Sequence, residues 1–85
     1  MNWIIIINAR VEKKLRKFPA GDYRRIREAI NDLVVDPFWG DIEKLGGQEN
    51  NWRRRVGNYR IFCEIFQEKK LVYIVGIKRR TSSTY

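Results

Sequence analysis

Two hydrophobic periods run along the chain, and the change from one to the other falls near its middle. Residues 3–7, Trp3-Ile4-Ile5-Ile6-Ile7, form a β-branched run of strand length closed by Asn8, a residue type that favours the N-cap of a helix. Val11, Leu15 and Phe18 follow at spacings of four and three, which predicts a helix from Ala9 to about Phe18 with one apolar face. Pro19-Ala20-Gly21 breaks the pattern and Asp22 is placed to cap a second helix. Tyr23, Ile26, Ile30, Leu33 and Val34 form the stripe of that helix, which ends at Asp36 because the residue before Pro37 disfavours the α region. Past a loop containing Phe38, Trp39 and Gly40 the period becomes two. Ile42 to Leu45 reads as a short edge strand, Trp52 to Val56 as a strand, Gly57-Asn58 as a two-residue turn and Tyr59 to Phe66 as the partner strand. Gln67 to Lys69 turns again, and Lys70 to Lys78, apolar on both faces around Val72 to Ile77, reads as a central strand. The order β-α-α-β-β-β predicts an α+β fold with both helices packed on one face of an antiparallel sheet.

Length and composition narrow this further. A chain of 85 residues with 44% hydrophobic and 13% aromatic content is expected to form one domain, residues 1–85, with a real core. Its single cysteine, Cys63, excludes an internal disulfide and any multi-cysteine metal site. Lying in an apolar strand pattern, that thiol is expected to pack as a small hydrophobe. The opening isoleucine run is far shorter than the roughly 18 apolar residues of a membrane span, and no signal peptide or phosphate-loop motif is visible. These features predict a cytoplasmic protein with no membrane association, metal, cofactor or small-molecule ligand.

Charge points to the partner. The chain carries 18 Lys and Arg against 10 Asp and Glu, for a net charge of +8, which favours a polyanion. Residues 1–51 hold nine basic and eight acidic groups, whereas residues 52–85 hold nine basic and two acidic, so the positive field is assigned to the C-terminal half. Side chains alternate along a strand. With Trp52 and Val56 facing the helices, Arg53 and Arg55 face the open side of the sheet, and Arg60 across the turn is expected to join them. Lys78-Arg79-Arg80 ends the neighbouring strand as a second cluster. Arg54 has core-side parity, where a charge is costly unless it reaches the edge. Guanidinium groups hold phosphate bidentately and stay charged, so several converging can bind RNA and stabilise a phosphoryl-transfer transition state.

The run Trp52-Arg53-Arg54-Arg55-Val56-Gly57-Asn58-Tyr59-Arg60-Ile61, the strand Leu71 to Ile77, Lys78-Arg79-Arg80 and the closing tyrosine resemble the RelE/ParE superfamily of toxin-antitoxin toxins. Lys44-Leu45-Gly46-Gly47 is similar to the segment preceding that family's arginine strand, and the likeness spans essentially the whole chain. The resemblance implies a RelE-like, microbial-ribonuclease-like fold. It also implies a metal-independent endoribonuclease that cleaves mRNA, in the ribosomal A site, by attack of the 2′-hydroxyl on the adjacent phosphate. Carried over by motif, Arg60, Arg79 and Tyr85 are the catalytic candidates, with Arg80 the alternative to Arg79. Arg53, Arg55, Lys78, Arg80 and Lys44 are candidates for holding RNA. The implied partners are a small cognate antitoxin, the ribosome and mRNA. Many relatives carry a histidine where this chain has Lys78 and Arg79, and this sequence has no histidine at all. The same scaffold hosts toxins that poison DNA gyrase without cleaving anything, and inactive homologues that only bind an antitoxin, so both alternatives stand beside the nuclease.

Overall fold

The computed structural model describes residues 2–47 and 50–79. Strand β1 (Ile4–Ile7) leads directly into α1 (Ala9–Leu15) and α2 (Ala20–Val35), and β2 (Ile42–Lys44), β3 (Asn51–Val56), β4 (Tyr59–Phe66) and β5 (Leu71–Arg79) complete a five-stranded sheet in the order β1-β5-β4-β3-β2. The last four strands run antiparallel to one another, as expected, but β1 pairs parallel with β5 from Ile4 opposite Leu71 to Ile7 opposite Ile74. The sheet is therefore mixed. Apolar periodicity reveals that a strand exists, whereas its direction is set by the side on which the helical crossover returns the chain. That crossover is tied at its far end by the Trp3 amide, which donates to the Val34 carbonyl at 2.8 Å. With β1 on one flank, β5 is interior, which suits its two apolar faces.

The helices close as their local sequences dictate, with two differences. Asn8 caps α1 by accepting from the Arg10 amide at 2.9 Å, and its side-chain amide donates to the Tyr73 hydroxyl at 3.0 Å. α1 stops at Leu15, three residues before the expected end, because the Lys17 and Phe18 amides bond to carbonyls only three residues back, the tighter 3₁₀ pattern. Phe18 still points inward and stacks on Tyr59 with ring centroids 4.7 Å apart. α2 starts two residues before Asp22, at Ala20, with Pro19 as its uncapped N-cap. Asp22 thus sits in the first turn, where it accepts a 2.8 Å hydrogen bond from the Tyr59 hydroxyl.

Val11 and Leu15 of α1 and Ile26, Ala29, Ile30 and Leu33 of α2 bury against Val56, Tyr59, Ile61, Cys63, Ile65, Val72, Ile74 and Ile77 of the sheet. Trp52 packs at the edge of this core, edge-on to Phe38 at 5.1 Å, so its bulk supports the fold. Among the described residues no helix is long and apolar enough to cross a membrane.

Two buried acids in this core make stability depend on alkaline pH. Burial pushes the Cys63 thiol from 9.0 up to about 12. Burial, aided by the hydrogen bond and negative charge of Asp22, also raises Tyr59 above its usual value. Both groups stay neutral in the folded chain at pH values where the unfolded chain ionises. The stability they confer is therefore complete below the unfolded values and lost as pH rises toward the folded ones. Urea unfolding is expected to show stability falling above about pH 9, at up to roughly 1.4 kcal/mol per pH unit for the buried thiol. Cys63→Ala should flatten the thiol's share, and an unchanged slope in that variant would refute the assignment.

Candidate nucleic-acid interface

With the helices on one face, the other face of the sheet is open, and its side chains fall into cross-strand rows. Arg55 lies opposite Arg60 on β4, and Arg60 lies opposite Lys78 on β5. The next row runs from Glu43 on β2 through Arg53 and Phe62 to Gly76. Directly opposed residues approach within about 5 Å at Cβ, and like charges so placed destabilise a sheet. Three cations in one row are therefore a cost that the fold itself does not need.

The fold relieves part of that cost and leaves the rest. Arg55 Nε donates to Asp41 Oδ2 at 3.0 Å, and the Arg55 amide donates to the Asp41 carbonyl at 2.9 Å. Arg53 Nη2 donates to Glu43 Oε1 in a close ion pair. Arg53 and Arg55 reach the open face as the sequence predicts, but each already holds a carboxylate. Among the described residues neither Arg60 nor Lys78 has a carboxylate partner. Lys78 Nζ instead stands 5.9 Å from the centroid of Phe62. Phe62, half-buried and on the same face, packs over Gly76. This ring is not among the residues that the arginine pattern singles out. Its signal was available, since Phe62 is two residues from Arg60 on an alternating strand.

The remaining candidates are not brought together here. Arg79 lies opposite Tyr59 on the helix-facing side, its guanidinium carbon 6.0 Å from the Tyr59 ring centroid. A β-bulge explains this. Phe62 pairs with Gly76 but Cys63 pairs with Ile74, so Val75 is an extra residue in β5 and the alternation flips there. Strict alternation from Leu71 and Tyr73 would have put Arg79 on the open face and Lys78 beneath it. The bulge exchanges them. Lys44 pairs with Trp52 and lines a cleft of about 570 Å³ with Phe38, Trp52 and Phe66, on the helix-facing side and away from Arg60. Arg80 and Tyr85 lie outside the described residues.

Arg54, of core-side parity, acts as a strut. It is 8% exposed, and its Nη1 donates to the Trp39 carbonyl at 2.6 Å while Nη2 stands 3.9 Å from Asp32 Oδ2. Gly40, with φ +93°, passes so close that an added Cβ would fall 2.3 Å from Arg54 Nη1. This pins the loop that delivers Asp41 to Arg55. Arg54→Met is expected to cost about 1.5–3 kcal/mol in urea unfolding, the usual worth of a charged hydrogen bond. The exposed pair at Arg55 is worth roughly 0–1 kcal/mol. Equal losses at the two positions would refute the strut.

The sequence profile of the family described as the ParE toxin of type II toxin-antitoxin systems, parDE, matches residues 5–83. A protein of Methanocaldococcus jannaschii named as toxin RelE1 is 28% identical over 83 residues, spanning 94% of this chain and 92% of its own. The archaeal RelE–RelB complex from Pyrococcus horikoshii is similar with a TM-score of 0.84 at 28% identity, covering 98% of this chain and 100% of that one. The isolated E. coli RelE toxin is similar in fold, with a TM-score of 0.81 at 17% identity over 95% of this chain and 87% of that one. Fold, basic open face and these likenesses define a small toxin of the RelE type from a toxin-antitoxin system. The chain belongs to the ParE toxin family of type II systems, within the RelE/ParE superfamily.

Proposed function

We propose that this toxin is an endoribonuclease that cleaves mRNA on the ribosome through attack of a 2′-hydroxyl on the neighbouring phosphate. The observation that carries the reading is the opposed pair Arg60 and Lys78, two cations left without carboxylates beside the Phe62 ring. A phosphodiester seated between them would supply the missing anion, and the ring would stack the adjacent base. As negative charge grows on the phosphate in the transition state, Arg60 stabilises it from a rigid central strand. Arg53 and Arg55 extend the track for flanking phosphates. Tyr85 is assigned the proton transfer and Arg80 a phosphate contact. Arg79, on the helix-facing side, is dropped from the catalytic set. No metal is invoked: the sequence has no histidine, and the described residues form no group of three potential ligands.

The partner that holds the toxin in check is a small cognate antitoxin, a role supported by the RelE–RelB complex to which this fold is similar. A second reading, poisoning of DNA gyrase, is favoured by the ParE description of the matching family. Mapping mRNA 5′ ends after brief expression, beside a plasmid-supercoiling assay, separates the two. The nuclease reading predicts new 5′ ends within coding regions and normal supercoiling. Intact mRNA with lost supercoiling would replace it with the gyrase reading.

A further inference from the structure

We propose that Asp41 and Glu43 are built-in competitors of RNA phosphate, and that they set how extended a polyanion must be before the open face accepts it. The proposal rests on the RNA-binding reading above and adds the basis of its selectivity. The two carboxylates are held by different means. Asp41 is fixed by its backbone bond to Arg55 and by the loop that Arg54 pins, and Glu43 by its register opposite Arg53 in the β2–β3 ladder. Asp41, Glu43, Arg53 and Arg55 line one cleft of about 280 Å³ at the sheet edge. Each carboxylate takes a guanidinium donor, Nε of Arg55 or Nη2 of Arg53, that a phosphate would use.

The pairs are placed to be displaced. Asp41, Glu43 and Arg55 side chains are at least half exposed, and ion pairs in such positions contribute little to folding. Phosphate can therefore replace a carboxylate without loosening the fold, but the exchange releases less free energy than binding to an empty guanidinium. Arg60 and Lys78, on β4 and β5 next along the row from Arg55, carry no such competitor among the described residues. A small anion or a lone phosphate engages only Arg60 and Lys78. A strand long enough to reach from them to Arg53 gains further contacts, each reduced by the carboxylate it expels and by that carboxylate's repulsion of the backbone. The result is low affinity for scattered polyanions and a preference for a chain held in place along the whole row.

The test uses the full toxin and a short oligouridylate, with binding followed by fluorescence anisotropy over a salt series. Asp41→Asn and Glu43→Gln keep a hydrogen-bond acceptor for each arginine and remove the charge. Together they are expected to tighten binding by up to roughly 10-fold, taking each exposed pair as a few-fold effect, and to steepen the log–log salt slope by about 1.4, or 0.7 for each freed cation on a single strand. Asp41→Glu keeps the charge and should leave the slope unaltered, which separates charge from disturbance of the loop. Glu43→Gln alone, at an exposed edge position, gives a partial effect of the same sign and does not depend on that loop. Arg60→Ala is the reference for the underlying reading. If Arg60→Ala abolishes binding while the neutralised variants match the parent in affinity and slope, the competitor proposal is overturned and the RNA reading stands. If Arg60→Ala also binds unchanged, the RNA reading itself falls. Weaker binding by the neutralised variants would make the carboxylates contributors to RNA contact and overturn the proposal as well.

Discussion

Arg60→Ala is expected to slow mRNA cleavage on ribosomes by about 10²–10³-fold, the usual loss on removing one preorganised charge donor from a transition state, with no loss of stability. The second half of that statement comes from the geometry. Arg60 stands between Arg55 and Lys78 in one cross-strand row, and it has no carboxylate partner among the described residues. Truncating it removes like-charge repulsion from the sheet and breaks no ion pair, so thermal unfolding should stay level or shift slightly upward. A structural arginine behaves in the opposite way, as expected at Arg54. Single-turnover cleavage and thermal melts on the same preparations check both halves. A variant that melts early and cleaves in proportion to its folded fraction would make Arg60 a structural residue. Full activity in a well-folded variant would remove Arg60 from the site.

Much of the scaffold beneath this site is legible in the sequence because local rules agree with one another there. The β3–β4 hairpin follows from alternation on both sides of Gly57-Asn58, and Gly57 takes a φ of +56° at the first turn position, where glycine carries no strain. That one turn fixes the register that sets Arg55 opposite Arg60, so the pairing of those two cations is readable from residues 53–60 alone. The apolar run of β5 marks it as interior for a similar reason, since both of its faces must be covered or paired.

What the sequence hides depends on distant registers. The neutralisation of Arg53 and Arg55 requires β2 to pair with β3 so that Glu43 meets Arg53, and the intervening loop leaves several registers open. The fate of Arg79 hangs on a single extra residue, Val75. The bulge there turns Gly76 and Lys78 to the open face and gives Ile77 and the exposed Arg79 helix-side parity. Nothing in the run Val72-Tyr73-Ile74-Val75-Gly76-Ile77 announces the bulge except the glycine, a residue often found where a strand bends. The parallel seating of β1 is hidden in the same way, because no local signal encodes which edge the helices will return to.

Tyr85→Phe is expected to slow cleavage on the order of 10²-fold, the common size of a general acid–base contribution, with substrate affinity little changed. Attack by a 2′-hydroxyl needs a group to take its proton, and the open face offers few. The chain has no histidine. Asp41 and Glu43 lie at the β2 edge, with β3 between them and Arg60, and Glu64 lies two rows along from Arg60, beyond Phe62. The closing tyrosine, which lies outside the described residues, is the remaining group that the family resemblance supplies. An ordinary tyrosine titrates near 10, so its capacity to take a proton grows as pH rises toward that value. The rate of the parent toxin should therefore rise with pH until the tyrosine is ionised, and the phenylalanine variant should be slow and nearly flat over the same range. Retention of the parent rate and pH profile by Tyr85→Phe would reduce the tyrosine to a stacking surface and require another proton acceptor.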